Sequence, residues 1–308
     1  LQRKIMLTFL PLPGLPRRGT KPSLRRIALC SSQQPPSRRS VITTLTTAAS
    51  TLLAHSRFPS LARAYAASTP PPRPSAKDIQ ALFGGDNAFP AEWPFSKEDF
   101  RRYDESSDSM FYGRPRLVYH IDEKAVKALS DLYRKLIVKK QVEIGALPNV
   151  LDICSSWISY LPSDLYKGQA APPRVSLLGM NQDELEKNPH GTDFAVRDLN
   201  DDPTFPLPDN EYHFVFCAMS IDYLTKPLEV IKEAGRVLKP GGSVVLSFSN
   251  RLFVTKAVAL WTGSSDLDHM YYTGNFIHFS KMFSPPKAYD ISPSSNSDPL
   301  YYVTATKL

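Results

Sequence analysis

NVLDICSSW (Asn149–Trp157), RVSLLGMNQDEL (Arg174–Leu185), DFAVRDLND (Asp193–Asp201), YHFVFCAMSIDYL (Tyr212–Leu224) and RVLKPGGSVVLSFS (Arg236–Ser249) decide the fold of this chain. Four of them are short apolar runs that break into a polar turn where a helix should start. Asp193–Asp201 is a weaker run with Asp198 near its end. Strands that alternate with helical stretches imply an α/β architecture with an open parallel sheet, and such sheets bind ligands at the carboxyl ends of their strands. The runs predict strands at Val150–Ile153, Val175–Leu178 (ended by Gly179), Phe194–Val196, His213–Ala218 and Ser243–Phe248.

Helical spacing of Val118, Ile121, Ala125, Leu129, Leu132, Tyr133, Leu136 and Ile137 predicts an amphipathic helix over Leu117–Ile137, ahead of the first strand. Leu228–Leu238 reads as a short helix stopped by Lys239-Pro240-Gly241-Gly242. Helical stretches follow at Phe253–Trp261 and near Asn275–Phe283, and two strand-like runs, Lys287–Ser292 and Leu300–Thr306, close the chain.

RVLKPGG resembles the turn before the fifth strand of class I S-adenosylmethionine-dependent methyltransferases. FPLPDNEYHFVFCAMS (Phe205–Ser220) is similar to the corresponding stretch of the small-molecule members, with His213 in place of the usual Asp. The LDICSSW turn is similar to an LDxxSSW turn in a plant and bacterial subset of type 11-like methyltransferases. The resemblance implies a Rossmann-like seven-stranded sheet, order 3-2-1-4-5-7-6, with helices on both faces and the last strand antiparallel. It implies S-adenosyl-L-methionine as cofactor, and methyl transfer to a small-molecule acceptor as the activity.

The family's first strand ends in an acidic residue and a glycine-rich turn. Here Asp152 is present, while Cys154, Ser156 and Ile158 stand at the glycine positions and Ser155 offers a further hydroxyl. Gly179-Met180-Asn181 puts an amide where the family has the ribose-binding carboxylate. Asn181 equally suits a helix cap ahead of Glu184. Asp198 and Leu199 match the pair that borders adenine, and Ala218, Met219 and Ser220 match the sulfur side. The acceptor side is open: Tyr112, Arg116 and His120 from a dense polar-aromatic stretch (Tyr103–Asp122) and Asn250 and Arg251 after the fifth strand are candidates to close the site. The competing reading is a methyltransferase-like binding or assembly protein without turnover, with Trp157 filling the pocket. CSSWIS lacks the G-x-G-x-x-G turn of a dinucleotide oxidoreductase.

Residues 1–66 carry eleven Lys or Arg and no carboxylate; the first acidic residue is Asp78. That composition is that of an organellar targeting leader, chloroplast or alternatively mitochondrial. Ser37-Arg38-Arg39-Ser40 before the uncharged Val41–Ala54 adds a twin-arginine pattern, which in a plastid implies the thylakoid lumen. Val41–Ala54 is too short to span a bilayer. The whole chain holds 37 basic and 30 acidic groups. Outside the leader the balance is acidic, so the basic charge gives no support to nucleic-acid binding. Residues 67–99, with the Pro-rich Ser68–Ser75 and the apolar Trp93 and Phe95, read as linker and cap segment, and residues 100–308 as the methyltransferase-like domain. Three cysteines and six unclustered histidines exclude a disulfide scaffold and a four-cysteine zinc site. Cys154 and Cys217 end neighbouring strands, so they are either inert buried thiols or, in an oxidising lumen, a disulfide pair.

Overall fold

The computed structural model describes residues 73–84, 88–166 and 172–308; the expectations for the leader, including its twin-arginine pair, lie outside the described residues. Helix α1 (Ala76–Phe83) starts at a capping box. Ser75 Oγ accepts from the Asp78 amide, and the Asp78 carboxylate accepts from the Ser75 amide. A short α2 (Asp108–Tyr112) follows, then α3 (Glu123–Ile144). The latter begins six residues later than its apolar spacing suggested. Asp122 Oδ1 accepts from the Ala125 amide at 2.9 Å and fixes the N-terminus there. Val118, counted on the expected helix, is 55% exposed in the preceding loop. The helix ends at Gly145, whose φ of 73° is the left-handed conformation that glycine adopts without strain.

From there strands and helices alternate: β1 (Val150–Ile153), α4 (Ser163–Tyr166), β2 (Val175–Gly179), α5 (Gln182–Leu185), β3 (Asp193–Val196), β4 (Tyr212–Ala218), α6 (Pro227–Val237), β5 (Leu238–Phe248), α7 (Asp266–Ser280), β6 (Lys287–Asp290) and β7 (Tyr301–Thr306). They form one seven-stranded sheet in the order β3-β2-β1-β4-β5-β7-β6. β7 runs antiparallel to both neighbours; the other pairings are parallel. This is the Rossmann-like methyltransferase sheet that the motif order implied.

Alternation along the strands sorts the core into two layers. Leu151, Ile153, Val215, Cys217, Val244 and Leu246 pack on one face with α6 and α7. Val150, Phe214, Phe216 and Val245 pack on the other with α3, whose Leu129, Tyr133 and Ile137 are fully buried. Each such side chain contributes roughly 1.5–3 kcal/mol of burial. Trp93 and Phe95, expected in a cap segment, and the neighbouring Phe100 pack their rings against Phe276 of α7. They brace the back of the sheet.

Three local expectations need correction. The KPGG turn does not precede a separate strand: β5 begins at Leu238, and Lys239–Gly242 are a bulge within it, between the Tyr212–Leu238 and Phe214–Ser243 pairings. Phe253–Trp261 is not a helix. Its apolar residues Ala257, Val258 and Trp261 are buried, but a single turn at Phe253–Ala257 gives way to outward bonds, from Val258 to Asp222 O, Ala259 to Arg101 O and Leu260 to Asp99 O. The last helix lies earlier, at Asp266–Ser280, set by a Ser265/Asp268 capping box. Among the described residues no helix is long and apolar enough to cross a membrane.

Candidate functional site

The chain leaves β1 outward to β2 and β3, then returns to β4 on the other side. This reversal opens a crevice between the carboxyl ends of β1 and β4. A cavity of about 270 Å³ occupies it. Its floor is made by the turns after four strands. Asp152, Cys154, Ser155 and Ser156 come from β1; Gly179, Met180 and Asn181 from β2; Asp198 and Leu199 from the turn after β3; Ala218, Met219 and Ser220 from β4. All twelve positions that the resemblance assigns to the cofactor therefore border one space.

The backbone there is held in an uncommon shape. Cys154 and Met219, the residues just past β1 and at the end of β4, have φ of 52°, a left-handed conformation that costs a side-chain-bearing residue of order 1 kcal/mol. The ladder continues through them: the Ser155 amide donates to Leu178 O (2.9 Å) and the Met219 amide to Ser247 O (2.8 Å). The β1 turn consequently runs directly over the end of β2. A Cβ on Gly179 would lie 2.1 Å from the Ser155 carbonyl oxygen. Gly179→Ala is expected to cost about 2–3 kcal/mol in urea denaturation, since the clash is with backbone. A loss below about 0.5 kcal/mol would mean the two turns part freely.

Asp152 is buried, and burial pushes its carboxyl up to about 6 against the hydrogen bond it accepts from Ser155 Oγ (2.6 Å). The turn is braced from below by Asn188, which donates to Ser156 O (2.9 Å) and Ser159 Oγ (2.8 Å). Asn181 caps α5, its Oδ1 accepting from the Glu184 amide (3.2 Å), while its Nδ2 donates to Tyr112 O (2.7 Å). One lone pair and one amide proton of Asn181 remain for a ligand. Asp198 accepts from the Asn200 amide through Oδ1 (2.9 Å). Trp157 does not border the cavity. Its ring packs on Tyr119, and its Nε1 donates to Val118 O at 3.2 Å. Cys154 and Cys217 are free thiols; the hydrogen bond that Cys217 donates to Cys154, together with burial, pushes the Cys217 thiol well up.

The roof is the stretch after α2. Tyr112, at the end of α2, and Arg116 and His120 all line the cavity; Arg116 and His120 pack on Phe253 from the loop after β5, and Tyr112 on Phe111, whose ring also meets Phe253. Arg251 lines it as well, with Nε on Asp298 (2.8 Å). Asn250 is exposed and does not reach it. Burial, then the Arg116 charge, hold His120 below the usual histidine range, so its imidazole is neutral at neutral pH. Burial pushes the Tyr112 phenol far up.

Sequence reasoning missed what holds the roof down. Asp108 of α2 is buried beneath it and accepts from Arg102 Nη1 through both oxygens (2.8 and 2.7 Å) and from Asn200 Nδ2 (2.9 Å). Lys256 Nζ, fully buried, lies 3.2 Å from Asp108 and bonds the Ser106 carbonyl at 2.6 Å. Burial alone would raise the Asp108 carboxyl; the Arg102 and Asn200 bonds outweigh it and hold it low. Glu184, Tyr223 and Phe253 also line the cavity unforeseen. The density of Tyr, Arg and carboxylates at Tyr103–Asp122 was the available signal for the roof. Among the described residues, no group of three or more His, Cys, Asp or Glu is placed to hold a metal ion.

A family model described as a methyltransferase domain matches residues 174–246. A curated malonyl-[acyl-carrier protein] O-methyltransferase of Marinomonas sp. (strain MWYL1) is 30% identical over 82 residues, 27% of this chain and 29% of that protein. The match therefore spans under a third of that relative's length. Among solved structures, the [4+2]-cyclase SpnF aligns at 14% identity over 58% of this chain and 80% of its own, TM-score 0.41. A methyltransferase of Aquifex aeolicus aligns at 18% identity over 61% and 99%, TM-score 0.39.

Proposed function

The chain belongs to the class I S-adenosylmethionine-dependent methyltransferase superfamily, and from that premise we propose that it transfers the cofactor's methyl group to a small-molecule acceptor held under the Tyr112–His120 roof. The observation that carries the reading is the convergence of the turns after β1, β2, β3 and β4 on one cavity, with Asp152, Asn181 and Asp198 all facing it.

The residues present fit the group. The left-handed Cys154 and the bare Gly179 let backbone approach where the amino-acid end would lie, although glycines are missing from the turn. Asp152 and Ser155 offer acceptors there, and Asn181 has capacity for a ribose hydroxyl. The unused Asp198 Oδ2 and the buried face of Leu199 suit the adenine amine and ring. When bound, S-adenosylmethionine supplies an electrophilic methyl on a sulfonium. The chain's task is alignment and exclusion of water. Ala218–Ser220 set one wall, and Ile158, Leu224 and Phe253 line the space with apolar surface. The position of Trp157, outside this space, supports an active enzyme over a pocket filled by its own side chain. The basic, acid-free first 66 residues support an organellar site of action, a chloroplast before a mitochondrion.

Calorimetric titration with S-adenosylhomocysteine tests the reading. The wild-type protein should bind it, and Asp198→Ala should weaken binding about tenfold, the value of one hydrogen bond to a charged group. No heat for the wild-type protein would remove the reading.

A further inference from the structure

Arg116 lines the cavity with its partners incomplete. Its backbone amide donates to Glu184 Oε1 at 2.6 Å, after β2, while its side chain reaches across to the β5 side. There the guanidinium sits 4.2 Å from the centre of the Phe111 ring and 5.3 Å from that of Phe253. Nη2 donates to Phe111 O at 3.1 Å. Nη1 is buried and, among the described residues, has no hydrogen-bond partner.

The other charges of the cavity do not satisfy it. Asp108 is taken by Arg102, Asn200 and Lys256; Arg197 is paired with Asp202, and Arg251 with Asp298. Glu184 uses Oε1 on the Arg116 backbone. His120 stays neutral beside the guanidinium and adds no competing charge. Arg116 is partly buried, and a buried N–H left without an acceptor is unfavourable until a partner arrives. The bond from Nη2 to Phe111 O and the Phe111 ring at 4.2 Å hold the guanidinium in place, with Phe253 beside the same face of the roof. Such a pre-oriented fork suits an oxyanion, and a carboxylate fits its geometry best.

We propose that Arg116 is the anion anchor of this cavity, taking through Nη1 a carboxylate carried by a bound molecule. The proposal rests on the methyltransferase reading for where the molecule comes from. The carboxylate belongs either to the amino-acid end of the cofactor or to an acidic acceptor; in both the same nitrogen makes the contact.

The test compares wild-type protein with Arg116→Met, which keeps an apolar stem beside Phe111, and Arg116→Lys, which keeps the charge without the fork. Calorimetry uses S-adenosylhomocysteine and 5′-methylthioadenosine, which lacks the carboxylate. Thermal shift of the S-adenosylhomocysteine-saturated protein uses benzoate against chloride at equal ionic strength. If the cofactor supplies the anion, Arg116→Met loses about tenfold or more in S-adenosylhomocysteine affinity and nothing toward methylthioadenosine. If the acceptor supplies it, both nucleoside affinities stay unchanged and benzoate stabilises the wild-type protein but not the Met variant. Equal behaviour of wild-type and Met proteins in all three titrations would overturn the anchor. Should the Met variant not fold, Arg116→Lys decides by the same comparison, with a smaller loss. Failure of the function reading looks different: the wild-type protein then binds neither nucleoside, and benzoate on the free protein still decides the anchor.

Discussion

Asp108→Ala is expected to destabilise the protein by about 3–5 kcal/mol, the cost of removing one partner from a buried ion cluster. Asp108 is 3% exposed and faces Arg102 and the fully buried Lys256. Its loss leaves Lys256 with the Asp104 and Ser106 carbonyls and the half-exposed Asp104 carboxylate, and Arg102 with Glu105 at 3.9 Å. Asn200 also loses its acceptor there and retains only Tyr223 O. Because Asp108 begins α2, which leads into the roof, the damage should be local first. The stretch Phe111–His120 should gain amide exchange before the sheet does. Urea denaturation with hydrogen exchange checks both. A change under about 1 kcal/mol would place the cluster among weak surface pairs.

Asp222→Asn should change how stability depends on pH. Asp222 lies in the short helical turn after β4, and burial pushes its carboxyl from 3.8 up to about 8. The folded chain therefore keeps this proton between about pH 4 and 8, where the unfolded chain has released it. Wild-type stability should fall as pH rises through that window and level off above it. Asparagine cannot ionise, so the variant lacks this slope. Relative to wild type it should gain of order 5 kcal/mol across the window, at about 1.4 kcal/mol for each pH step of one. Parallel denaturation curves from about pH 5 to 9 measure it. Identical slopes for the two proteins would show that water or a partner already solvates this carboxylate.

The sheet was legible because its signal is local. Val150–Ile153 and His213–Ala218 are apolar runs between polar turns, and the strand order was implied by the methyltransferase resemblance that the motifs carry. The positions at the strand ends were legible for the same reason: a residue one or two places past a strand has nowhere else to be. Tertiary partners defeated the rest. Phe253–Trp261 has a helix's apolar spacing because Val258 and Trp261 enter the core, yet after one turn at Phe253–Ala257 the amides of Val258, Ala259 and Leu260 find carbonyls at Asp222, Arg101 and Asp99. Lys256 in that stretch reads as a surface lysine until Asp108, far away in sequence, is placed beside it. The start of α3 departs from its apolar spacing because Val118 and Ile121 continue that rhythm upstream of the Asp122 cap. Asn181 suits both a cap and a ribose contact by residue type, and the structure shows the cap while leaving part of the amide free.

S-adenosylmethionine should bind in the crevice at the ends of β1 to β4, and a crystal structure with S-adenosylhomocysteine checks this. Adenine should lie on Leu199 with its amine within hydrogen-bond distance of Asp198, the ribose at Asn181, and the sulfur facing Ala218–Ser220. Ligand bound elsewhere at saturating concentration, or Trp157 turned into the crevice in its place, would contradict the account.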